Sequence, residues 1–293
     1  MKLLLLGGNG QVGRELRRSL LPLGELVVAT RDGGDADAAA DFDAPASLAA
    51  LIEQTAPEVV VNAAAYTAVD KAETDAAAAF RINAEAPAAI AQACVDTGAL
   101  LVHYSTDYVF DGNATRPYRE DDATAPLGVY GASKLAGEQA IRASGARHAI
   151  LRTAWVYAAH GKNFLLTMLW LANERDELRV VADQIGAPTP AAWIADATAE
   201  IIRRGVMASG TWHLVADGET SWHGFAEAIV DEAHALGLIA RKPRVVAIPT
   251  ADYPTPARRP AYSVLDTTRL QRDFGVAPPD WRDGLRRTLA ARS

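Results

Sequence analysis

The sequence predicts an α/β protein: a doubly wound parallel sheet joined to a smaller, proline-rich α/β lobe. Three observations carry this. Short apolar runs alternate with longer helix-like stretches through the first half of the chain. The runs are continuously apolar rather than alternating, the pattern of strands buried on both faces. A glycine-rich segment separates the first run from the first helix-like stretch, as in nucleotide-binding βαβ units. Strands that alternate with helices pair in parallel and are covered on both sides.

Taken in order, residues 3–6 (LLLL) form the first buried strand, and residues 11–21 read as a helix. Residues 25–30 give a second strand and residues 58–64 (EVVVNAA) a third. Residues 76–97 are Ala-rich and read as one long helix, followed by a fourth strand at 99–105 (ALLVHYS). A helix over 135–143 and a fifth strand at 148–153 (HAILRT) complete the regular half. Residues 32–43 (DGGDADAAADFD) read as a solvated acidic loop. Beyond that, 163–173 and 196–206 look helical, and 211–215 (TWHLV) is a strand placed to return to the sheet. Pro243, Pro249, Pro254, Pro256, Pro260, Pro278 and Pro279 mark a loop-rich lobe. The expected division is a dinucleotide-binding domain over 1–155 and a discontinuous substrate lobe over most of 156–293.

Composition bounds the function. The chain has 293 residues, 49% hydrophobic and 22% charged, which excludes a disordered chain and suits one large core plus a lobe. Its 29 Lys+Arg against 36 Asp+Glu give a net charge of −7. That balance argues against nucleic acid or an anionic membrane as partner. Cys94 is the single cysteine, so no intrachain disulfide forms, and a reducing compartment fits. Its setting, AAIAQAC, is that of a packing residue. No apolar run approaches the roughly 20 residues of a membrane span. The opening MKLLLLGGNG has too short an apolar core for a signal peptide, so a soluble, cytoplasmic protein is expected.

The first strand runs into Gly7-Gly8-Asn9-Gly10-Gln11-Val12-Gly13. Gly8, Gly10 and Gly13 fit G-x-G-x-x-G, and Gly7, Gly10 and Gly13 fit G-x-x-G-x-x-G. Either spacing allows a tight turn, close approach of backbone N–H groups to a pyrophosphate, and a helix N-terminus behind it. This is the Rossmann-like arrangement. The second strand ends at Thr30-Arg31, with Asp32 one residue later. An arginine at that corner can hold a 2′-phosphate, so NADPH is the expected cofactor and NADH the alternative. Small residues Ala63, Ala64 and Ala65 after the third strand let a cofactor lie close to the sheet edge.

The fourth strand ends Tyr104-Ser105-Thr106-Asp107, which places Thr106 at the carboxyl end where ligands of such sheets bind. Tyr130 and Lys134 follow at i and i+4, on one helix face. A phenol has an ordinary pKa near 10. A neighbouring ammonium, together with the positive nicotinamide, would lower it and let the pair protonate a carbonyl oxygen as hydride arrives, with Thr106 bonded to the same oxygen.

With GGNGQVG, NAAAYTAVDKAE at 62–73, HYSTDYVFDG at 103–112, PLGVYGASKLAGE at 126–138, RTAWVY at 152–157, DQIGAPT at 183–189 and RRPAYSVLD at 258–266, the chain resembles the extended short-chain dehydrogenase/reductase superfamily. Within it the chain is most similar to the dTDP-4-dehydrorhamnose reductase family. That resemblance implies Tyr130 as proton donor, Lys134 as its partner and ribose ligand, and Thr106 as the group tuning the carbonyl. It implies cofactor contacts at Gly7, Gly10, Gln11, Val12, Gly13, Thr30, Arg31, Asp41, Phe42, Ala63, Ala64, Ala65 and Tyr104. It implies a nucleotide-sugar substrate at Thr106, Asp107, Trp155, Val69 and Tyr108, with Arg258 and Arg259 on the diphosphate. Some relatives dimerise through magnesium; Glu15 is present here, but Ala192 stands where an acid is expected, so no metal and a monomer or weak homodimer are expected. The six histidines show no metal-ligand spacing and read as packing or surface residues. Two rival readings are an epimerase or dehydratase, which the absence of an Asp-Glu pair after Thr106 argues against, and a non-catalytic NADP-binding regulatory subunit, which the complete Thr106, Tyr130 and Lys134 set argues against.

Overall fold

Leu3, Leu4, Leu5 and Leu6 are each 0% exposed, as a strand covered on both faces requires. They belong to β1 (Lys2–Leu6) of a Rossmann-like doubly wound sheet. The structure is a computed structural model and describes residues 1–292. β2 (Glu25–Thr30) and β3 (Ala38–Ala39) lie to one side of β1. β4 (Val59–Asn62), β5 (Leu100–Thr106), β6 (His148–Thr153) and the strand Gly210–His213 lie to the other. All seven strands are parallel, with Leu5 opposite Val28 on one flank and Val61 on the other. The strand order reverses between β1 and β4, and such a switch point opens a crevice at the carboxyl ends of the strands.

Side chains alternate across each strand, so the four leucines divide between two cores. Leu3 and Leu5 pack with Leu16, Ile194 and Ile201 under the helices Gln11–Leu20 and Ala191–Arg204. Leu4 and Leu6 pack with Leu48, Ile90 and Ile141 under Pro45–Thr55, Ala86–Thr97 and Val129–Ser144. A third core joins Tyr157, Leu165, Phe225, Ile229, Trp281 and Leu285 in the lobe, beside the parallel pair Glu177–Val181 and Arg244–Ile248.

The strands at 25–30 and 148–153 match expectation residue for residue. Other elements differ for identifiable reasons. The long helix expected over 76–97 is divided: Ala76–Phe80, a π-helical turn Arg81–Glu85, then Ala86–Thr97. Pro87 has no N–H to give the Asn83 carbonyl four residues back, so the ladder widens there. The helix expected from residue 135 begins at Val129, where Val129 N–H donates to Glu73 Oε1 at 2.8 Å in place of a local cap. The acidic stretch 32–43 is not a purely solvated loop. It contributes β3, and Ala40 and Phe42 are buried at 3% and 5% exposure. TWHLV pairs with β6 through Gly210–His213. Among the described residues no helix is long and apolar enough to cross a membrane.

Candidate active site

The turn after β1 is built by its glycines. Gly7 adopts φ +83°, a conformation that disfavours any side chain. A Cβ on Gly13 would lie 2.1 Å from Gly7 O, so the helix Gln11–Leu20 can press against the turn only because Gly13 is bare. No side chain caps that helix and no acid occupies its first turn, which leaves its N–H groups and dipole to an anion.

In front of this turn, along the carboxyl ends of the strands, runs a cleft of about 650 Å³. Of the residues expected on a cofactor, Gly7, Gly10, Gln11, Val12, Arg31, Phe42, Ala63, Ala64, Ala65, Tyr104, Tyr130 and Lys134 line it. Gly13 and Thr30 stand behind the wall: Gly13 packs helix on turn, and Thr30 is 1% exposed with its hydroxyl unpaired. Asp41 turns away and accepts the Asp43 N–H at 2.9 Å. The cleft has further walls at Asn9, Asp32, Ala40, Thr67, Ile82, Ser105, Thr153, Val156, Gly161 and Lys162. Thr153 ends β6 as Thr106 ends β5, so the carboxyl-end rule that singles out Thr106 also points to it. The bare turn, the small alanines and a buried Thr153 hydroxyl with no partner fit a dinucleotide.

Tyr130 and Lys134 stand on the first turns of the helix Val129–Ser144. Lys134 is 2% exposed, and its Nζ donates to Tyr104 O at 2.6 Å and lies 3.4 Å from His103 Nε2. Burial pushes Lys134 down to about 8, against the pull of Glu138. Tyr130 keeps part of its surface open to the cleft, but its hydroxyl is crowded by protein. That burial pushes the phenol up to about 12, with a Thr106 hydrogen bond working to lower it and Asp107 to raise it. The lowered phenol expected from the sequence rests on the positive nicotinamide as well as on Lys134, and the protein groups alone push it the other way. Lys134 spends its contacts on Tyr104 O and His103 of β5.

Thr106 donates to Asp107 Oδ1 at 2.9 Å and accepts Tyr108 N–H at 3.2 Å. Its one hydrogen is therefore engaged with Asp107, and the bond that favours the Tyr130 phenolate needs that hydrogen to leave Asp107. The bond expected from Thr106 to a substrate carbonyl requires this hydroxyl to turn. Asp107 is 2% exposed, and burial pushes it up to about 6 while Ser263 and Thr106 oppose the rise.

Tyr130 also faces a narrow crevice with Val69, Tyr108 and Arg258. The Tyr108 ring meets Tyr130 edge to face, centroids 5.8 Å apart. Arg258 is exposed and makes no ion pair among the described residues, whereas Arg259 is bonded to Asp70 at 2.8 Å and also to Thr255. Arg259 also borders a second cavity of about 390 Å³, with Phe164, Gln184, Trp222 and Tyr253. Trp155 holds φ +48° and stacks on Trp222, rings 3.6 Å apart and 6° from parallel. One of its faces is therefore already covered.

Behind the site lie residues that sequence reasoning passed over. Asn83, in the π turn, donates to Ser133 Oγ at 3.0 Å and clasps Tyr66 through both its amide atoms. Arg152 forms two 2.8 Å bonds to Glu138, and Arg142 a third at 2.6 Å. Burial would raise Glu138, but these guanidiniums hold it below its ordinary 4.5. Among the described residues no group of three His, Cys, Asp or Glu could hold a metal ion.

A family model described as RmlD substrate binding domain matches residues 1–293. A dTDP-4-dehydrorhamnose reductase of Burkholderia thailandensis is 52% identical over 291 residues, 96% of each chain. The chain belongs to the dTDP-4-dehydrorhamnose reductase family. Solved dTDP-4-dehydrorhamnose reductases agree in structure. The Clostridium acetobutylicum protein superposes with TM-score 0.91 at 35% identity, covering 100% of this chain and 99% of its own. The Bacillus anthracis protein, in complex with NADP, also gives 0.91, at 33% identity and 99% coverage of both chains. Membership in this family accounts for the glycine turn, the STDYVFDG strand end and the Tyr130–Lys134 pair occurring together.

Proposed function

We propose that the chain uses NADPH, with NADH as a second donor, to reduce the C4 keto group of dTDP-4-dehydro-L-rhamnose to the alcohol of dTDP-L-rhamnose. The observation that carries the reading is the position of Tyr130, on the wall shared by the dinucleotide cleft and the crevice that leads to Arg258. Bound in the cleft, NADPH supplies the hydride. Tyr130 gives its proton to the C4 oxygen as negative charge develops there. An alkoxide is a stronger base than a phenolate, so this transfer runs downhill even with the phenol near 12. A high phenol pKa also keeps the acid loaded until it is needed. Lys134 has hydrogens left after Tyr104 O; these hold the nicotinamide ribose, and its charge when protonated steadies the phenolate. Thr106 orients the Tyr130 hydroxyl and Asp107 orients Thr106.

On the substrate side, Val69 and Tyr108 border the sugar, and Trp155, packed against Trp222 and Gly186, stands behind them. Arg258, free of an internal carboxylate, reaches the diphosphate, with Arg259 steadied by Asp70 beside it. Residues 1–155, completed by the strand Gly210–His213, serve as the cofactor-binding unit, and most of the remainder as the substrate lobe. A monomer or weak homodimer is the reading, with Glu15 bonded to His160 at 2.9 Å and Ala192 standing where a second acid would be needed. The acid excess suits a small-molecule partner rather than nucleic acid, and a cytoplasmic setting suits NADPH chemistry.

The test is Tyr130→Phe assayed with a panel of 4-keto-6-deoxy nucleotide sugars. Turnover should fall by about 10²–10⁴-fold, the usual contribution of a positioned acid, while NADPH affinity stays within about twofold. Turnover within tenfold of the parent would remove Tyr130 from its role.

A further inference from the structure

The contacts that hold Lys134 raise a question of hydrogen count. Ala64 N–H donates to Asn62 Oδ1 at 3.1 Å, which turns the Asn62 amide nitrogen toward His103. Asn62 Nδ2 lies 3.1 Å from His103 Nδ1, so Nδ1 is the acceptor and bears no hydrogen. A neutral imidazole then carries its single hydrogen on Nε2, and Nε2 faces Lys134 Nζ at 3.4 Å. An ammonium has three donors and no acceptor, whereas an amine offers one lone pair. The run Ala64–Asn62–His103–Lys134 is matched from end to end only when the last member is an amine. That amine accepts Nε2–H and gives one of its own hydrogens to Tyr104 O. Asn62, His103 and Lys134 are 1%, 0% and 2% exposed, so water does not relieve a mismatch.

We infer that Asn62 and His103 are positioning residues that favour the neutral amine of Lys134 over its ammonium, by aiming a fixed N–H at its nitrogen. The reverse arrangement, with hydrogen on Nδ1, would set that hydrogen against the Asn62 amide, and an imidazolium would fail at both ends. Burial holds His103 well below its ordinary 6.5. The other titratable and charged groups around Lys134 are Tyr130 and Glu138 on its own helix, Tyr104 on β5, Asp107 just beyond β5, and Arg152 on β6. Glu138 favours an ammonium, but its oxygens are taken up by Arg152 and Arg142. A neutral amine spares the protein a buried, incompletely paired cation.

The test uses the full-length, cofactor-free protein and does not depend on which ketone it reduces. Long-range ¹H–¹⁵N spectra of its histidines, with His103 assigned through His103→Gln, should show the Nε2–H tautomer at about pH 9, above the value of about 8 to which burial brings Lys134. An Nδ1–H tautomer or an imidazolium there overturns the inference. The Lys134 ¹³Cε titration should then move to higher pH, by about one unit, in Asn62→Ala, because His103 is freed to shift its hydrogen to Nδ1 and offer Nε2 to an ammonium. A purely structural role would lower activity and leave that midpoint in place, which also overturns the inference. Should Asn62→Ala fail to fold, the tautomer of the parent protein decides.

Discussion

Arg31 shows what one residue can settle. It is exposed at the end of β2, makes no ion pair among the described residues and lines the cleft next to Asp32. A guanidinium there recognises a 2′-phosphate, whereas a carboxylate favours bare ribose hydroxyls. Arg31→Ala should weaken NADPH by about tenfold and leave NADH nearly unchanged, as read by fluorescence titration of each. Equal weakening of both would assign the discrimination elsewhere. The residues legible in the sequence are those whose roles follow from short spacing: the glycines of the turn, Thr106 at a strand end, and Tyr130 and Lys134 one turn apart. Asn62 and His103 were not legible. They are 41 residues apart and meet only because β4 and β5 lie side by side with those two positions in register. His103, one of six histidines read as packing or surface, proves to contact Lys134.

At the scale of an element, the helix Val129–Ser144 is positioned by its neighbours rather than by its own sequence. Its start is satisfied by Glu73, 56 residues earlier. Its middle rests on the π turn, where a Cβ on Gly137 would lie 2.1 Å from Asn83 O. Gly137→Ala should therefore push the helix off Asn83. The expected cost is about 1–3 kcal/mol, the usual size of overpacking, together with reduced turnover, since Tyr130 and Lys134 move with the helix. Urea unfolding and kcat measured together check this; a variant as stable and active as the parent would show that the contact yields freely. Neither the early start nor the π turn has a local signature. Gly128 and Val129 carry no capping side chain, and an Ala-rich run reads as uninterrupted helix until Pro87 is set against the carbonyl it fails to bond.

For the whole molecule, the buried imidazoles set the response to acid. Burial lowers His103 well below 6.5, His213 to about 3, and His148 as well. At these histidines the unfolded chain binds more protons than the folded one once the pH drops under 6.5, so their contribution to stability is complete above that value and declines as pH falls toward the folded pKa values. Each such histidine contributes about 1.4 kcal/mol per pH unit across its window. Glu138, held down by arginines, adds its loss only below its ordinary 4.5. The urea midpoint should accordingly drop between about pH 7.5 and about pH 5, and a flat midpoint over that interval would contradict neutral burial. The sheet was legible at this scale because each strand is an unbroken apolar run. The lobe was not: Tyr157, Phe225 and Trp281 come from three distant segments to make its core, and the helices Trp222–Ala235 and Trp281–Ala290 were hidden among prolines and turns.

The Trp155–Trp222 stack joins these two halves, one indole leaving the sheet and the other opening the first helix after Gly210–His213. Parallel indoles in contact share their electronic excitations, and the shared signal disappears when they part. The molecule thus carries a built-in optical gauge of how tightly its lobe is seated, readable by near-ultraviolet circular dichroism with no added label.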